Sequence, residues 1–240
     1  MREGEAVTSP SSFHPTAYLS AVTTPFFSIV MASYLGEYEG KYGKSATDRV
    51  HKFHRAVRSV LAQSFENFEL LIVADGCADT GQEASRYLDL RVRLLDIPKQ
   101  RLWSEKVRNA GIHKARGLYV IYIDTDDEWE DDHLRRIHDA LKDADLPPWG
   151  FFTDQVWDEQ QQAWMHRPAV ITKRGGAGTS NLVHAAAQTI YWPPITYRWP
   201  EMGYDHDWQF VNHLRANFGH GVDLGLGGYR VCHVPRKYDI

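Results

Sequence analysis

A chain of 240 residues, 43% hydrophobic and 24% charged, is long enough for one sizeable core or a core with a small subdomain, and its composition argues against extensive disorder. Its 27 basic and 31 acidic residues give a formal charge of −4 with no dense run of Lys or Arg, so the charge pattern offers nucleic acid no attraction. Cys77 and Cys232 are too few and too far apart for a disulfide scaffold or a cysteine-rich zinc site, and they read as reduced thiols of a cytoplasmic protein.

Residues 1–25 mix Ser, Thr, Pro and charges without periodicity, which predicts a mobile tail and makes a poor secretory signal. Nowhere does an apolar run reach the ~20 residues that span a bilayer, so any membrane association is expected to be peripheral. From Phe27 short apolar runs alternate with amphipathic segments, the pattern of an α/β domain with a largely parallel sheet. Phe27 to Ala32 reads as the first strand. Val50, Phe53, Val57, Val60 and Leu61 recur at helical spacing behind a cap at Thr47 or Asp48. His51 and His54 lie on or beside that helix, and without further ligands nearby they are expected on a solvated face.

A second strand, Phe68 to Ala74, ends in Asp75-Gly76-Cys77-Ala78-Asp79. A helix from about Thr80 to Leu88 follows, then a strand from Arg91 to Leu95. The next helix carries Arg108-Asn109 behind a Ser104 cap and is expected to stop at Gly117. Tyr119 to Ile123 then forms an apolar strand that runs into Asp124-Thr125-Asp126-Asp127. Strand side chains alternate, so Asp124 and Asp126 are expected on one side of the strand's end, with Asp127 on the exposed turn beyond. Hard oxygen ligands where a buried strand meets solvent suit Mg2+ or Mn2+, ions that complete their shells with water and phosphate. Asp131-Asp132, by contrast, suit the start of the helix marked by Leu134, Ile137 and Leu141, which Pro147-Pro148 terminate.

The second half is less regular. Phe151 to Thr153 and Trp164 to Ile171 read as strands, and Lys173 to Ser180 as a flexible basic loop lacking the ending of a phosphate-binding P-loop. Trp208, Val211, Leu214 and Phe218 mark a last helix from Asp205-His206-Asp207 to Gly219, and Tyr229 to Val234 a final strand. Trp157, Trp164, Trp192 and Trp199 have the chemistry to stack on sugar rings, as well as that of ordinary core material.

Taken together, Phe27 to Tyr34, Ala74 to Asp79, Arg108-Asn109-Ala110-Gly111-Ile112 and Asp124-Thr125-Asp126-Asp127 resemble glycosyltransferase family 2, whose members have the GT-A fold. The order and spacing match over about residues 26–145, and a looser match continues through Gly178-Thr179-Ser180-Asn181 and Asp205 to Trp208 as far as His233. The resemblance implies an α/β domain over 26–240 with a GT-A-like mixed sheet, its nucleotide-sugar half at 26–145 and its acceptor-side half at 146–240. It implies an enzyme of polysaccharide biosynthesis that moves a sugar, with inversion, from a nucleotide-sugar donor to an acceptor hydroxyl. UDP- or dTDP-sugars are the favoured donors, glycans or lipid-linked compounds the acceptors, and Mn2+ or Mg2+ the cofactor. By position, Ser33, Asp75, Arg108, Asp124 and Asp126 would contact the nucleotide sugar, while Asp126, Asp127 and His233 would hold the metal. Asp207 would be the base that takes the acceptor proton, with Asp205 the alternative. Two departures stand out: Cys77 replaces a usual Ser, and His206 replaces the Glu of the family's Glu-Asp pair.

Other classes fit less well. Asp124-Thr125-Asp126 superficially resembles the aspartyl phosphohydrolase motif, but several elements precede it and Asp127-Glu128 follow where that family expects Thr or Val. Ser33-Tyr34-Leu35-Gly36 lacks the Gly-rich basic loop of a sugar nucleotidyltransferase and the glycine fingerprint of a dinucleotide oxidoreductase. A nucleotide-sugar-binding module without turnover is the non-enzyme alternative, and the carboxylates Asp126, Asp127 and Asp207 argue against it.

Overall fold

The structure, a computed structural model, describes residues 24–37, 48–100, 104–186, 190–194 and 206–232. Most of the expected tail, Thr47, Trp199, Asp205 and His233 lie outside the described residues. Among the described residues nine strands form one sheet: β1 (Phe27–Ser33), β2 (Phe68–Asp75), β3 (Val92–Ile97), β4 (Tyr119–Tyr122), β5 (Glu128–Trp129), β6 (Trp149–Asp158), β7 (Ala163–Arg167), β8 (Leu182–Ala185) and β9 (Val222–Val231). The α-helices described are α1 (Arg49–Leu61), α2 (Ala78–Ala84), α3 (Glu105–Lys114), α4 (His133–Asp143) and α5 (His206–Phe218).

The sheet runs in the order β3-β2-β1-β4-β8-β6-β9-β5, with β7 paired to β6. Its first four strands are parallel; β1, β2 and β4 are covered on both faces, which suits their largely apolar sequences, while β3 at the edge is only partly covered and carries Arg93 and Asp96. β8 then enters antiparallel to β4, which makes the sheet mixed and joins the two halves of the chain. Side chains alternate between two cores. Ile29, Leu70 and Ile121 pack on one face with α1 and α4, while Val30, Leu71 and Val120 pack on the other with α3 and α5.

Several elements differ from the sequence reading for identifiable reasons. α3 stops at Lys114 rather than at Gly117. Gly117 serves a close approach instead: a Cβ there would lie 2.7 Å or less from the backbone of Phe27 and Ser28, so only glycine lets this loop lie against β1. β4 ends at Tyr122, and the carboxylates therefore sit on a turn, where strand alternation no longer governs their directions. In α5 it is Phe210, with Val211 and Leu214, that is buried, while Trp208 is only partly covered. His54 is not on a solvated face, since its ring nitrogens meet the Tyr87 hydroxyl at 2.6 Å and Glu83 at 2.8 Å. β8, with its buried Leu182-Val183-His184, gave little sequence signal, since only Leu182 and Val183 are apolar before a histidine interrupts the run.

β8 also carries a buried polar chain. Trp192 Nε1–H donates to the Tyr122 hydroxyl at 3.1 Å, that hydroxyl donates to His184 Nε2 at 2.6 Å, and His184 Nδ1–H reaches the Ala185 carbonyl at 3.1 Å. This arrangement needs a neutral imidazole, and burial pushes the His184 pKa down from 6.5 to about 4. An unfolded His184 binds its proton near pH 6.5 and the folded one only near pH 4, so its stabilising contribution is complete above pH 6.5 and is lost as pH falls through this window. The loss at the bottom of the window is on the order of 3 kcal/mol. Equilibrium unfolding from pH 7 to pH 4 should therefore show a flatter loss of stability in His184→Gln than in the native chain, whatever their offset at pH 7. Identical slopes would contradict the neutral buried imidazole.

Candidate active site

The carboxyl ends of β3, β2, β1 and β4 lie side by side, so the residues following each strand share one edge of the sheet. At the end of β2, Asp75 is largely buried and its two oxygens accept hydrogen bonds from Lys99 Nζ at 2.5 Å and the Gln100 N–H at 2.6 Å. Lys99 Nζ in turn lies 4.1 Å from the centre of the Tyr34 ring, just past β1. An open cleft of about 430 Å3, lined in part by Gly76, Cys77, Asp96 and Pro98, adjoins this carboxylate. Ser33 is buried between the strands, its hydroxyl 3.2 Å from that of Thr80. Lys99 was not among the expected site residues; Pro98 before it signalled only a loop.

The turn after β4 separates its carboxylates sharply. Asp124 keeps 38% of its side chain exposed, and Asp126 is also partly open. Asp127, expected on the exposed turn, instead points inward and is 3% exposed. Its oxygens accept from the Tyr229 hydroxyl at 2.8 Å and the Cys232 N–H at 2.6 Å, and the same Tyr229 oxygen receives the Asp124 N–H at 3.1 Å. Burial, and then the like charges of Asp126 and Asp124, push the Asp127 carboxyl well above its ordinary range. The bonds from Tyr229 and Cys232 are the physical reason for its inward placement, while the Asp127 N–H to Asp124 carbonyl contact at 3.2 Å closes the turn above them. Arg55 holds the turn from α1 by donating to the Asp126 carbonyl at 2.6 Å.

Arg108, expected at the nucleotide, is itself buried. Its guanidinium donates to Ser104 Oγ at 2.5 Å and to Asp124 at 2.9 Å, and lies 4.8 Å from the centre of the Trp192 ring. Asn109 beside it clamps the same segment, exchanging two hydrogen bonds with the Trp192 backbone at 2.8 and 2.9 Å. Trp192 stacks on Phe210 with ring centres 4.0 Å apart and is 2% exposed, so it builds the floor of the site rather than a face for a sugar. Trp157 and Trp164 pack edge to face on the β6–β7 hairpin.

Asp207 stands in the first turn of α5, 24% exposed. Its Oδ1 receives the Thr179 hydroxyl at 3.2 Å and lies 3.1 Å from His206 Nε2. Burial by itself raises the Asp207 carboxyl, but the His206 imidazole, the positive charge of Arg108 and the Thr179 hydroxyl outweigh it and hold the pKa below the ordinary carboxylate value. Arg108 thus acts on both Asp124 and Asp207, and the structure brings these three together. It does not place Asp75 in contact with them, and among the described residues no group of three or more His, Cys, Asp or Glu side chains converges as a metal site. No described helix is long and apolar enough to cross a membrane.

The model of the Glycosyl transferase family 2 matches residues 47–193, and the chain belongs to that family. The amylovoran biosynthesis glycosyltransferase AmsB of Erwinia amylovora is 38% identical over 79 residues, 31% of this chain and 26% of its own length. Among solved structures, Staphylococcus aureus TarS 1-349 in complex with UDP-GlcNAc has a TM-score of 0.63 at 16% identity, covering 89% of this chain and 60% of that one. The mannosyltransferase PcManGT of Pyrobaculum calidifontis, in complex with GDP-Man and Mn2+, has a TM-score of 0.57 at 14% identity, covering 90% and 59%. The fold is accordingly GT-A, and the chain spans less than two thirds of each of these proteins.

Because Tyr229 links the Asp124 backbone to the buried Asp127 carboxylate, its hydroxyl should be worth more than a surface contact. Tyr229→Phe should lower unfolding free energy by about 1–3 kcal/mol, the cost of leaving buried partners unsatisfied. Denaturant melts of the two proteins measure it. An unchanged midpoint would show that the turn does not depend on this bond.

Proposed function

We propose that this chain transfers a sugar from a nucleoside-diphosphate donor to an acceptor hydroxyl by a single inverting displacement, with Asp207 as the base. The observation that carries the reading is the arrangement of Asp124, Arg108 and Asp207: one buried guanidinium holds the edge of the acidic turn, and its charge adds to the larger effect of the neighbouring His206 imidazole in holding the Asp207 carboxyl below its ordinary range. A base must be unprotonated at working pH and open to its substrate, and Asp207 meets both requirements. The family membership supports the reaction class, and the nucleotide-sugar ligands of TarS and PcManGT support the donor class.

The donor's base belongs at Asp75, whose carboxylate retains lone pairs beyond the two bonds it accepts and can receive an imide N–H of uracil or thymine, while Lys99 beside it offers a donor to a neighbouring carbonyl. The diphosphate belongs over the turn at Asp124 and Asp126. The residues there fit a divalent cation of the sparse kind: Asp126, with Asp124 beside it, supplies the one or two carboxylates such ions take from protein when substrate phosphates complete the shell. Bound there, Mn2+ or Mg2+ would offset negative charge on the departing nucleoside diphosphate. Asp127 supports the turn from beneath, its oxygens already engaged by β9. His233 follows Cys232 in sequence, and we assign it to the metal's vicinity by sequence position alone.

The acceptor then enters over α5 and the turn at Thr179. Asp207 Oδ2 takes the hydroxyl proton as the acceptor oxygen bonds to the anomeric carbon and the sugar–phosphate bond breaks, the electron pair leaving with the diphosphate.

Two substitutions separate the roles. Asp126→Ala should abolish the increase in UDP affinity that Mn2+ produces, measured calorimetrically, while Asp207→Asn should leave that affinity intact and lower turnover of the donor by about 10²–10⁴-fold. Turnover is followed as release of UDP from a panel of UDP-sugars. Near-native turnover in Asp207→Asn would remove it as the base, and unchanged Mn2+ enhancement in Asp126→Ala would remove the metal assignment.

A further inference from the structure

Away from the carboxylates already described, β6 carries one that no step of the transfer uses. Asp154 is fully buried, and such a charge is costly unless it is paired and hydrogen-bonded. It is paired with Arg167 on β7, whose Nε donates to one oxygen at 2.9 Å and whose Nη2 donates to the other at 2.5 Å, a forked contact that fixes both groups. The second oxygen also receives the Ser180 hydroxyl at 2.7 Å. Ser180 lies in a single 3-10 turn, Thr179–Asn181, that the sequence had marked only as the end of a flexible loop.

This turn is held from several directions. Asn181 Nδ2 donates to the Phe152 carbonyl at 2.9 Å, its Oδ1 accepts the Gly178 N–H at 3.2 Å, and Ser180 is locked to Asp154. All three residues of the turn are buried. Thr179, the neighbour of Ser180, donates its hydroxyl to Asp207 at 3.2 Å. Gly178 completes the approach, since a Cβ there would lie 2.9 Å from Asp207 Oδ2 and would have to displace it. Hydrogen bonds therefore join Arg167 to Asp154 and Asp154 to Ser180, the backbone joins Ser180 to Thr179, and the Thr179 hydroxyl completes the path to the carboxylate assigned as base.

We propose that Asp154 and Ser180 are positioning residues for the transfer reaction, pinning the 178–181 turn so that Thr179 holds Asp207 in its reactive orientation and leaves Oδ2 open over Gly178. The inference rests on the reading of Asp207 as the base, but the geometry it describes is independent of that role. The charged or titratable groups facing Asp207 are His206 from its own helix and Arg108 from α3; Thr179 is the neutral donor from the opposite side. Removing that donor, or loosening the turn that presents it, should let the Asp207 carboxyl rise toward its ordinary value while His206 and Arg108 remain.

The test compares Thr179→Val, Thr179→Ser and Ser180→Ala in the full chain. Carbon-13 NMR titration of the Asp carboxylates, with the Asp207 signal assigned from its absence in Asp207→Asn, reads the carboxyl directly and needs no substrate. Thr179→Val and Ser180→Ala should both raise the Asp207 pKa and slow UDP release from the donor about tenfold, the equivalent of one hydrogen bond, with UDP affinity unchanged. Thr179→Ser, which keeps the hydroxyl, should restore both. Should Ser180→Ala fold poorly, Thr179→Val carries the comparison, because it leaves the Asp154 contact in place. An Asp207 pKa unmoved in Thr179→Val overturns the proposal, and a shift in Thr179→Val but not in a folded Ser180→Ala removes Asp154 and Ser180 from it. Full turnover in Asp207→Asn alongside shifted pKa values would instead show that the positioning exists but the base lies elsewhere.

Discussion

The candidate site depends on a buried carboxylate beneath the acidic turn. Asp127 is held by the Tyr229 hydroxyl and the Cys232 N–H, both from the end of β9, and these bonds fasten the first half of the chain to its last strand across 102 and 105 residues of sequence. A carboxylate in this position is costly to bury and costly to leave unpartnered, so the turn has few alternative conformations. Asp124 and Asp126 owe their exposed placement to this anchor. In a loop free of it, three carboxylates within four residues would spread apart by mutual repulsion.

Positive charge in the site is sparse and deliberately placed. Arg108 is buried between Trp192 and Asp124, with its side chain 6% exposed, and Asn109 fixes the Trp192 backbone on which it rests. A guanidinium so restrained loses little freedom on binding a ligand, and its charge reaches Asp207 through a poorly solvated interior. The same side chain therefore links the acidic turn, at Asp124, to the first turn of α5, at Asp207. Asp154 repeats the device in the second half of the chain, where a buried carboxylate paired with the half-exposed Arg167 fixes the turn at Ser180.

Much of this was legible in the sequence where local rules dominate. The apolar strands β1, β2 and β4, the positions of Asp75 and Asp124 at the ends of β2 and β4, and that of Arg108 on the helix before β4 follow from runs of buried residues punctuated by turn and cap chemistry. What escaped was set by distant contacts. Asp127 is indistinguishable from Asp126 in sequence, and only the arrival of Tyr229 from β9 turns it inward. Lys99 became part of the Asp75 cluster because β3 pairs beside β2, a register that no short motif announces. The turn at Thr179 read as flexible from its glycines and basic residues, yet the buried Asp154 on another strand makes it one of the more constrained segments. Trp192 read equally as sugar-stacking or core material, and it is core, because Phe210 on α5 covers its face.

The central claim is that a hydroxyl activated at Asp207 attacks the donor directly, from the face opposite the diphosphate, without an enzyme-bound sugar. The most direct measurement is the configuration of the sugar first released when the protein turns over an α-linked UDP-sugar with water as acceptor, read by proton NMR before mutarotation mixes the anomers. The account predicts that the β-anomer appears first. Initial release of the α-anomer would contradict it, because retention requires either a second displacement or attack on the same face, neither of which Asp207 as a lone base supplies.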